Sequence, residues 1–432
     1  MSKNTKQIKR IRGMYDVLPA DVWIWQKLES TISRVFTSYN FSEIRLPLVE
    51  ETRLFQTAIG EVTDVVEREM FSFPDRSGTS LTLRPEGTAG CVRAVIQNDL
   101  CNRGLTQKLW YNGPMFRYER PQKGRNRQFT QVGAEIFNME NSEADVELLL
   151  MSSRLWKQLG LPNVRLEINS LGSDASRSQY REVLISYFKE HIEILDEDAK
   201  RRLETNPLRI LDSKNPAMRT VIENAPLLTE YLDNESIEHF TKVKSILDQC
   251  RIPYIENPKL VRGLDYYCKT VFEWITDDLG AQGTICAGGR YDSLVERQGG
   301  KPTPAVGFAM GLDRIVELIK DLNLWQQHSS VDAVLIVDNA IDSALASQFS
   351  EKIRESLPGI NLFVNQSGGS FKSQFKKADK LDADFAIILG ENEIKNNFIT
   401  VKSLKNKDLG QQELQYNNFV EFMKTNANLR ES

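Results

Sequence analysis

Apolar and polar positions trade places along this chain with two different periods, and the points where the period changes mark its parts. From about residue 10 to 170, runs that alternate one for one stand between helical stretches: EIRLPLV (43–49), SLTLRP (80–85) and FTQVGAEIF (129–137). Such alternation sends one side of a strand into a core and the other toward solvent or a ligand, so these runs predict a largely antiparallel sheet. Between about 172 and 255 the spacing lengthens to three and four, at Tyr180, Val183, Leu184, Tyr187 and Phe188, then at Ile237, Phe240, Val243 and Leu247. That is the period of amphipathic helices, and an all-helical insertion is expected. Strand spacing returns in YYCKTVFEWI (266–275), and AVGFAMGLDRIVELI (305–319) reads as a helix that closes this part. Beyond the polar stretch NLWQQHSSVD, the runs AVLIVD, NLFVN and FAIILG are separated by helical segments, the pattern of a small α/β domain with parallel strands.

Composition agrees with a divided chain. At 432 residues it is too long for one ordinary core. A hydrophobic share of 41% with 26% charged residues belongs to a globular protein, and no run is long and apolar enough to span a membrane. The N-terminus, MSKNTKQIKRIRG, is basic with no apolar segment behind it, so it reads as a short arm rather than a secretory signal. Cys91, Cys101, Cys250, Cys268 and Cys286 make an odd set without CxxC spacing, which argues against a disulfide framework and a thiolate zinc site; a cytosolic protein is expected. His191, His239 and His328 stand alone, and GxSxG and GxxxxGK[ST] are absent. Chemistry must then run on arginines, carboxylates and amides, and no protein-held metal is expected.

Charge is concentrated where the total hides it. The formal net charge is -4, yet MFRYERPQKGRNRQFTQ (115–131) carries five basic residues and one acid. In the strand beginning at Phe129, Val132, Ala134 and Ile136 share one side, and Gln131, Gly133 and Glu135 the other. A hairpin with the preceding strand puts Arg117, Gln131 and Glu135 on one floor, with Gly133 leaving room for a ligand. Alone, this hairpin reads as a solvated sheet face with a charged turn. Other stretches add to it. LTLRPEGTA places Glu86 at a strand-to-helix junction, suited to hold an amine. Gly307, Gly311 and Arg314, four and three apart, fall on one side of the expected helix and bare its backbone beside an arginine. VRGLDYYCKTVFEW sets Arg262 and Gly263 before Asp265, Tyr266 and Tyr267.

With those residues in hand, the chain resembles the class II aminoacyl-tRNA synthetases, and among them the histidine-specific family. The resemblance rests on LPLVEETRLFQTAIGEVTDVVEREMF, LRPEGTA, WYNGPMFRYERPQKGRNRQF, LVRGLDYY and AGGRYDSL with TPAVGFAMGLDR, while GGSFKSQFKKADK and FAIILGENE look like the family's anticodon-binding domain. The chain departs from the family pattern at Thr130, where histidine is expected, at Ser293, where glycine is, and at Asp313, where glutamate is.

The resemblance implies an α+β catalytic domain on a mostly antiparallel sheet in two pieces, 1–171 and 257–325. A helical insertion at 172–256 separates them, and a C-terminal α/β anticodon-binding domain follows at 330–432. It implies ATP-dependent attachment of histidine to its tRNA through a histidyl-adenylate, with Mg²⁺ and with release of AMP and pyrophosphate. Arg117, Arg262 and Arg314 are the implied catalytic residues. Arg117 and Arg314 would hold the α- and γ-phosphates, and Phe129 would stack on adenine. Histidine would be bound by Glu86, Thr88, Gln131, Glu135, Arg262, Tyr266, Tyr267 and Tyr291, with Glu135 and Tyr267 on the imidazole nitrogens. Lys123, Arg125 and Arg127 would meet the acceptor end of the tRNA. Eight lysines against five acids between Lys372 and Lys407 fit an anticodon loop. A homodimer through the segment around Pro47 is also implied.

Overall fold

The structure, a computed structural model, describes residues 7–60, 63, 65–213, 215–262, 264–326, 331–365, 368–427 and 429. The first six residues of the basic arm, Gly263 beside Arg262, and residue 330 at the expected start of the C-terminal part lie outside the described residues. Between Trp325 and Gln326 the chain divides into two compact units.

The first unit is built on an eight-stranded sheet in the order Ser42–Glu43, Gln107–Phe116, Gln128–Phe137, Ala305–Gly311, Thr284–Arg290, Cys268–Thr276, Val164–Ser170, Tyr254–Glu256. The pairings from Gln107–Phe116 through Val164–Ser170 are antiparallel, and the two outermost are parallel. One face is a dry core: Val132, Ala134 and Ile136 pack with Val306, Phe308 and Met310 and with apolar residues of the helices Pro19–Ser38, Ser142–Leu159 and Leu312–Asp321. Fully burying one such side chain is worth about 1.5–3 kcal/mol, so this face fixes the register that aims Gln131 and Glu135 the other way. The Ser142–Leu159 helix stops at Gly160, whose φ of 72° is the left-handed C-cap that releases the chain into the next strand.

The helical stretch begins at capped helices. Ser173 accepts from the Ser176 N–H, Asp196 from Ala199 and Asp233 from Ser236, each satisfying an otherwise orphaned donor in a first turn. The Asp233 carboxylate also accepts from the Ser173 and Ser176 hydroxyls, so two helix starts share one anion, and these hydrogen bonds hold its pKa well below the usual range. The last helix, Asn234–Gln249, buries Phe240, Val243 and Leu247 in the same core as Leu148 and Phe272.

Two sequence expectations are corrected here. AVGFAMG is not helical: Ala305–Gly311 is a strand between Gln128–Phe137 and Thr284–Arg290, and the helix starts at Leu312. Its period is two, with Val306, Phe308 and Met310 in the core, and the spacing of four between Gly307 and Gly311 equally puts both on one side of a strand. EIRLPLV is not one strand but Ser42–Glu43 and Val49–Glu51, joined through Pro47, which has no N–H for a ladder. Between them the buried Arg84 guanidinium donates to the carbonyls of Leu46 and Pro47 and, through Nε, to that of Pro114. Val49–Glu51 belongs to a small separate sheet with Ser80–Leu83 and Phe71–Pro74.

The second unit carries a five-stranded sheet, Leu362–Val364, Ala333–Val337, Phe385–Leu389, Ile399–Ser403, Gln411–Leu414. Its first three strands are parallel, as their apolar runs predict; the last two, which the sequence pattern does not single out, are antiparallel. Among the described residues no helix is long and apolar enough to cross a membrane.

Candidate active site

The face of the large sheet opposite its core borders a cavity of about 390 Å³. Arg117, Arg262 and Arg314, from three distant parts of the sequence, all line it, together with Glu86, Thr88, Phe129, Gln131, Tyr266 and Tyr267. Each arginine is tied down at its far side. Arg117 follows the Gln107–Phe116 strand; its Nε donates to the Pro85 carbonyl at 2.9 Å, and its guanidinium carbon lies 5.3 Å from the Phe129 ring centre. Arg314, in the first turn of Leu312–Asp321, donates from Nε to Gly124 O at 3.0 Å and from Nη1 to Thr284 O at 2.6 Å. Arg262 is paired with Glu273, which in turn accepts from the Thr284 hydroxyl at 3.0 Å. Arg262 Nε is buried without a partner. Burial first, and then the nearby Arg125 and Arg117, push the Arg314 pKa down, while Glu119 and Glu317 oppose the shift.

Glu86 ends up at the start of the Thr88–Gln97 helix. Gly87 at the cap gives its space to the Tyr111 ring, and the Glu86 carboxylate takes the Thr88 and Ala89 N–H groups at 2.6 and 2.9 Å. Burial raises its pKa, and those two bonds oppose the shift. Each oxygen keeps a further lone pair for a cationic ligand. Gln131 lines the cavity with its Oε1 buried and unpartnered, a state that costs about 1–3 kcal/mol until a donor arrives.

Below the floor the arrangement departs from expectation. Gly133 does not leave room for a ligand: a Cβ there would sit 2.2 Å from the Tyr111 ring. Tyr111, fully buried, fills that space. Likewise a Cβ on Gly307 would lie 1.6 Å from Glu135 Oε2, so this glycine makes room for a carboxylate, whereas Gly311, lining the cavity, has open space above it. Glu135 and Tyr291 do not line the cavity; each is 1% exposed. Glu135 accepts from three hydroxyls, Thr88 at 2.9 Å, Tyr111 at 3.0 Å and Tyr291 at 2.5 Å. Burial pushes its pKa up to about 8 against the pull of those hydroxyls.

A family model described as Histidyl-tRNA synthetase matches residues 13–315, and one described as Anticodon binding domain matches residues 333–426. The chain belongs to the histidyl-tRNA synthetase family. It is 53% identical over 421 residues to the histidine–tRNA ligase of Hydrogenovibrio crunogenus, covering 98% of both chains. The solved apo histidyl-tRNA synthetase of S. aureus superposes with a TM-score of 0.80 at 35% identity, over 97% of this chain and 100% of that one. An ATP phosphoribosyltransferase regulatory subunit/histidyl-tRNA synthetase from Bacillus halodurans, 22% identical over 88% of this chain and 98% of that one with a TM-score of 0.63, shares the fold. As a member of its family the chain is a class II histidine–tRNA ligase, whose partners are histidine, ATP and tRNA.

The basic loop of this synthetase is ordered by its own backbone. Gln122 and Arg125 exchange two hydrogen bonds across a turn at Lys123 and Gly124. Gly124, Arg125 and Asn126 border the cavity; Lys123 and Arg127 do not. The three cations expected to meet tRNA are engaged in the free protein: Lys123 with Asp321 at 2.7 Å, Arg125 with Glu119 at 3.0 Å, and Arg127 3.9 Å over the Tyr118 ring. Sequence reasoning missed Glu119, Glu273 and Thr284, the partners of the functional arginines, because nothing local marks them. It also missed Tyr111, for which the two glycines against its ring, Gly87 and Gly133, were the available signal.

A carboxyl whose folded pKa stands at about 8 instead of the ordinary 4.5 keeps its proton longer in the folded chain than in the unfolded one. Stability from this group is full below pH 4.5 and is lost as the pH rises through about 8, with a slope of at most about 1.4 kcal/mol per unit. Urea unfolding at pH 5 to 8 should show this decline, and Glu135→Gln should flatten it; an unchanged slope in the variant would assign the decline to other groups.

Proposed function

We propose that this cavity forms histidyl-adenylate and that Arg117, Arg262 and Arg314 stabilise the phosphates as the carboxylate of histidine attacks. One observation carries the reading: three guanidinium groups border a single cavity that also holds an aromatic ring, a buried carboxylate and an orphaned amide oxygen. A carboxylate is ionised at neutral pH, so the attack needs no protein base. Its oxygen bonds to the α-phosphorus and pyrophosphate leaves with the electron pair of the broken P–O bond. The terminal ribose hydroxyl of the tRNA then attacks the adenylate carbonyl, and AMP departs.

Arg117 grips the α-phosphate and Arg314 the γ-phosphate, with adenine on Phe129; arginine suits this work because its planar fork stays charged and holds two oxygens. Arg262 serves the α-phosphate and the substrate carboxylate. Mg²⁺ arrives on the phosphates of ATP, in the manner of a hard cation that keeps its waters, and no protein ligand is assigned to it. Glu86 takes the substrate's ammonium, with Thr88 and Gln131 completing the contacts to its amine and carboxylate. Tyr267 and Glu135 take the two imidazole nitrogens, Glu135 after one of its three hydroxyls gives way, and Tyr266 and Tyr291 wall the ring. A site that hydrogen-bonds a substrate group rejects analogues without it by about four to five powers of ten in favourable cases, so histidine is selected in one step.

Lys123, Arg125 and Arg127 receive acceptor-end phosphates, while the C-terminal unit takes the anticodon end. Leu48 and Val49 are 43% and 37% exposed on either side of the strand start after Pro47, and Phe73 is exposed on the same small sheet. Such apolar exposure supports a symmetric dimer through this segment, working in the cytosol.

Arg262→Ala should leave ATP binding within a fewfold of the parent while slowing adenylate formation about a hundred- to thousandfold in single turnovers; unchanged single-turnover rates would remove Arg262 from the chemistry. Arg125→Ala with Arg127→Ala should lower tRNA charging by about tenfold and histidine-dependent pyrophosphate exchange much less; equal losses would mean that the loop serves ATP. Sedimentation should give twice the chain mass, reduced toward one by Leu48→Asp with Val49→Asp; a native monomer would rule out the dimer.

A further inference from the structure

We propose that Tyr15 and Asp313 form a latch that fixes the basic loop over the cavity, which makes Tyr15 a positioning residue for the ATP-dependent step. The inference rests on the assignment of the cavity to ATP, and goes beyond it by giving the N-terminal arm a part in the reaction.

The latch is built from segments far apart in sequence. The Tyr15 hydroxyl, on the arm, donates to Oδ1 of Asp313. Oδ2 of the same carboxylate accepts the Thr130 N–H at 2.7 Å, at the start of the strand that carries Gln131 and Glu135. One carboxylate thus ties the arm and the strand to the first turn of the helix whose next residue is Arg314. Arg314 itself holds Gly124 O, which fastens the loop to that same helix.

Two residues before Tyr15 the arm grips the loop directly. The Gly13 carbonyl accepts the N–H of Arg127 at 2.7 Å and of Gln128 at 3.3 Å, and with φ at 85° Gly13 approaches so closely that a Cβ would lie 2.8 Å from Pro121 and 2.9 Å from Arg127. Thr130 and Asp313 meet at this contact. Asp313 also lines the cavity and is 6% exposed, and burial raises its pKa, so removing a donor leaves a poorly solvated carboxylate beside the phosphate-binding arginine. Tyr15 is half-buried, and its hydroxyl supplies that donor.

Tyr15→Phe deletes one oxygen and keeps the ring. In the full-length protein, trypsin should cut after Lys123, Arg125 and Arg127 about five times faster than in the parent, with the thermal midpoint and cleavage elsewhere unchanged. The KM for ATP should rise about fivefold while that for histidine stays the same. No acceleration within the loop overturns the latch, and so does equal acceleration along the whole chain, which would mark a merely structural tyrosine. Faster loop cleavage with an unaltered KM for ATP supports the latch while removing ATP from the cavity, which keeps the two readings distinguishable.

Discussion

Like charges brought into one cavity repel, and the site exists because the fold holds three guanidinium groups against that repulsion from behind. Arg117 leans on the Pro85 carbonyl, Arg314 on Gly124 and Thr284, and Arg262 on Glu273. Thr284 joins two of these supports, since its hydroxyl reaches Glu273 while its carbonyl receives Arg314. The register between Thr284–Arg290 and Cys268–Thr276 shifts between Thr284 and Cys286, an irregularity of the kind that re-aims a residue beside a binding site. Fixed cations need no rearrangement when charge builds on a phosphoryl group, which is where preorganised electrostatics gains its advantage over water.

Beneath those cations lies a second constraint of opposite sign. A glutamate sealed under the floor is tolerated because three hydroxyls point at it and because glycines on neighbouring strands give it and Tyr111 the necessary volume. The antiparallel strands thus carry a buried polar layer, Glu135 with Tyr111 and Tyr291, on the face opposite the apolar core. Small residues at Gly133 and Gly307 are space for Tyr111 and Glu135 rather than for a ligand, and the ligand's own space opens above Gly311.

Much of this was legible in the sequence because it is local. Alternation in FTQVGAEIF separates core from floor without any structure, and the period-three pattern of residues 180–188 gives a helix whose buried side is Tyr180, Leu184 and Phe188. Reading failed where local spacing is ambiguous or where partners are distant. Gly307 and Gly311 fit one side of a helix as well as one side of a strand, and the choice turns on Val306, Phe308 and Met310, which alternate. Pro47 lacks the N–H a ladder needs, but that the carbonyls of Leu46 and Pro47 are satisfied by Arg84, nearly forty residues away along the chain, is not visible locally. Glu273 had no reason to stand out, since an acid becomes a partner only when folding brings a base to it. The arginines themselves were found through family resemblance, and their convergence on one cavity is what folding adds.

The basic loop has one more implication. Lys123 and Arg125 already have an acid for company and Arg127 an aromatic face, which mutes the attraction these three offer to stray polyanions. For the proposed contact with tRNA, incoming phosphates would have to displace those resident partners several at a time, which would reward a backbone whose spacing matches the turn and give little to one that does not.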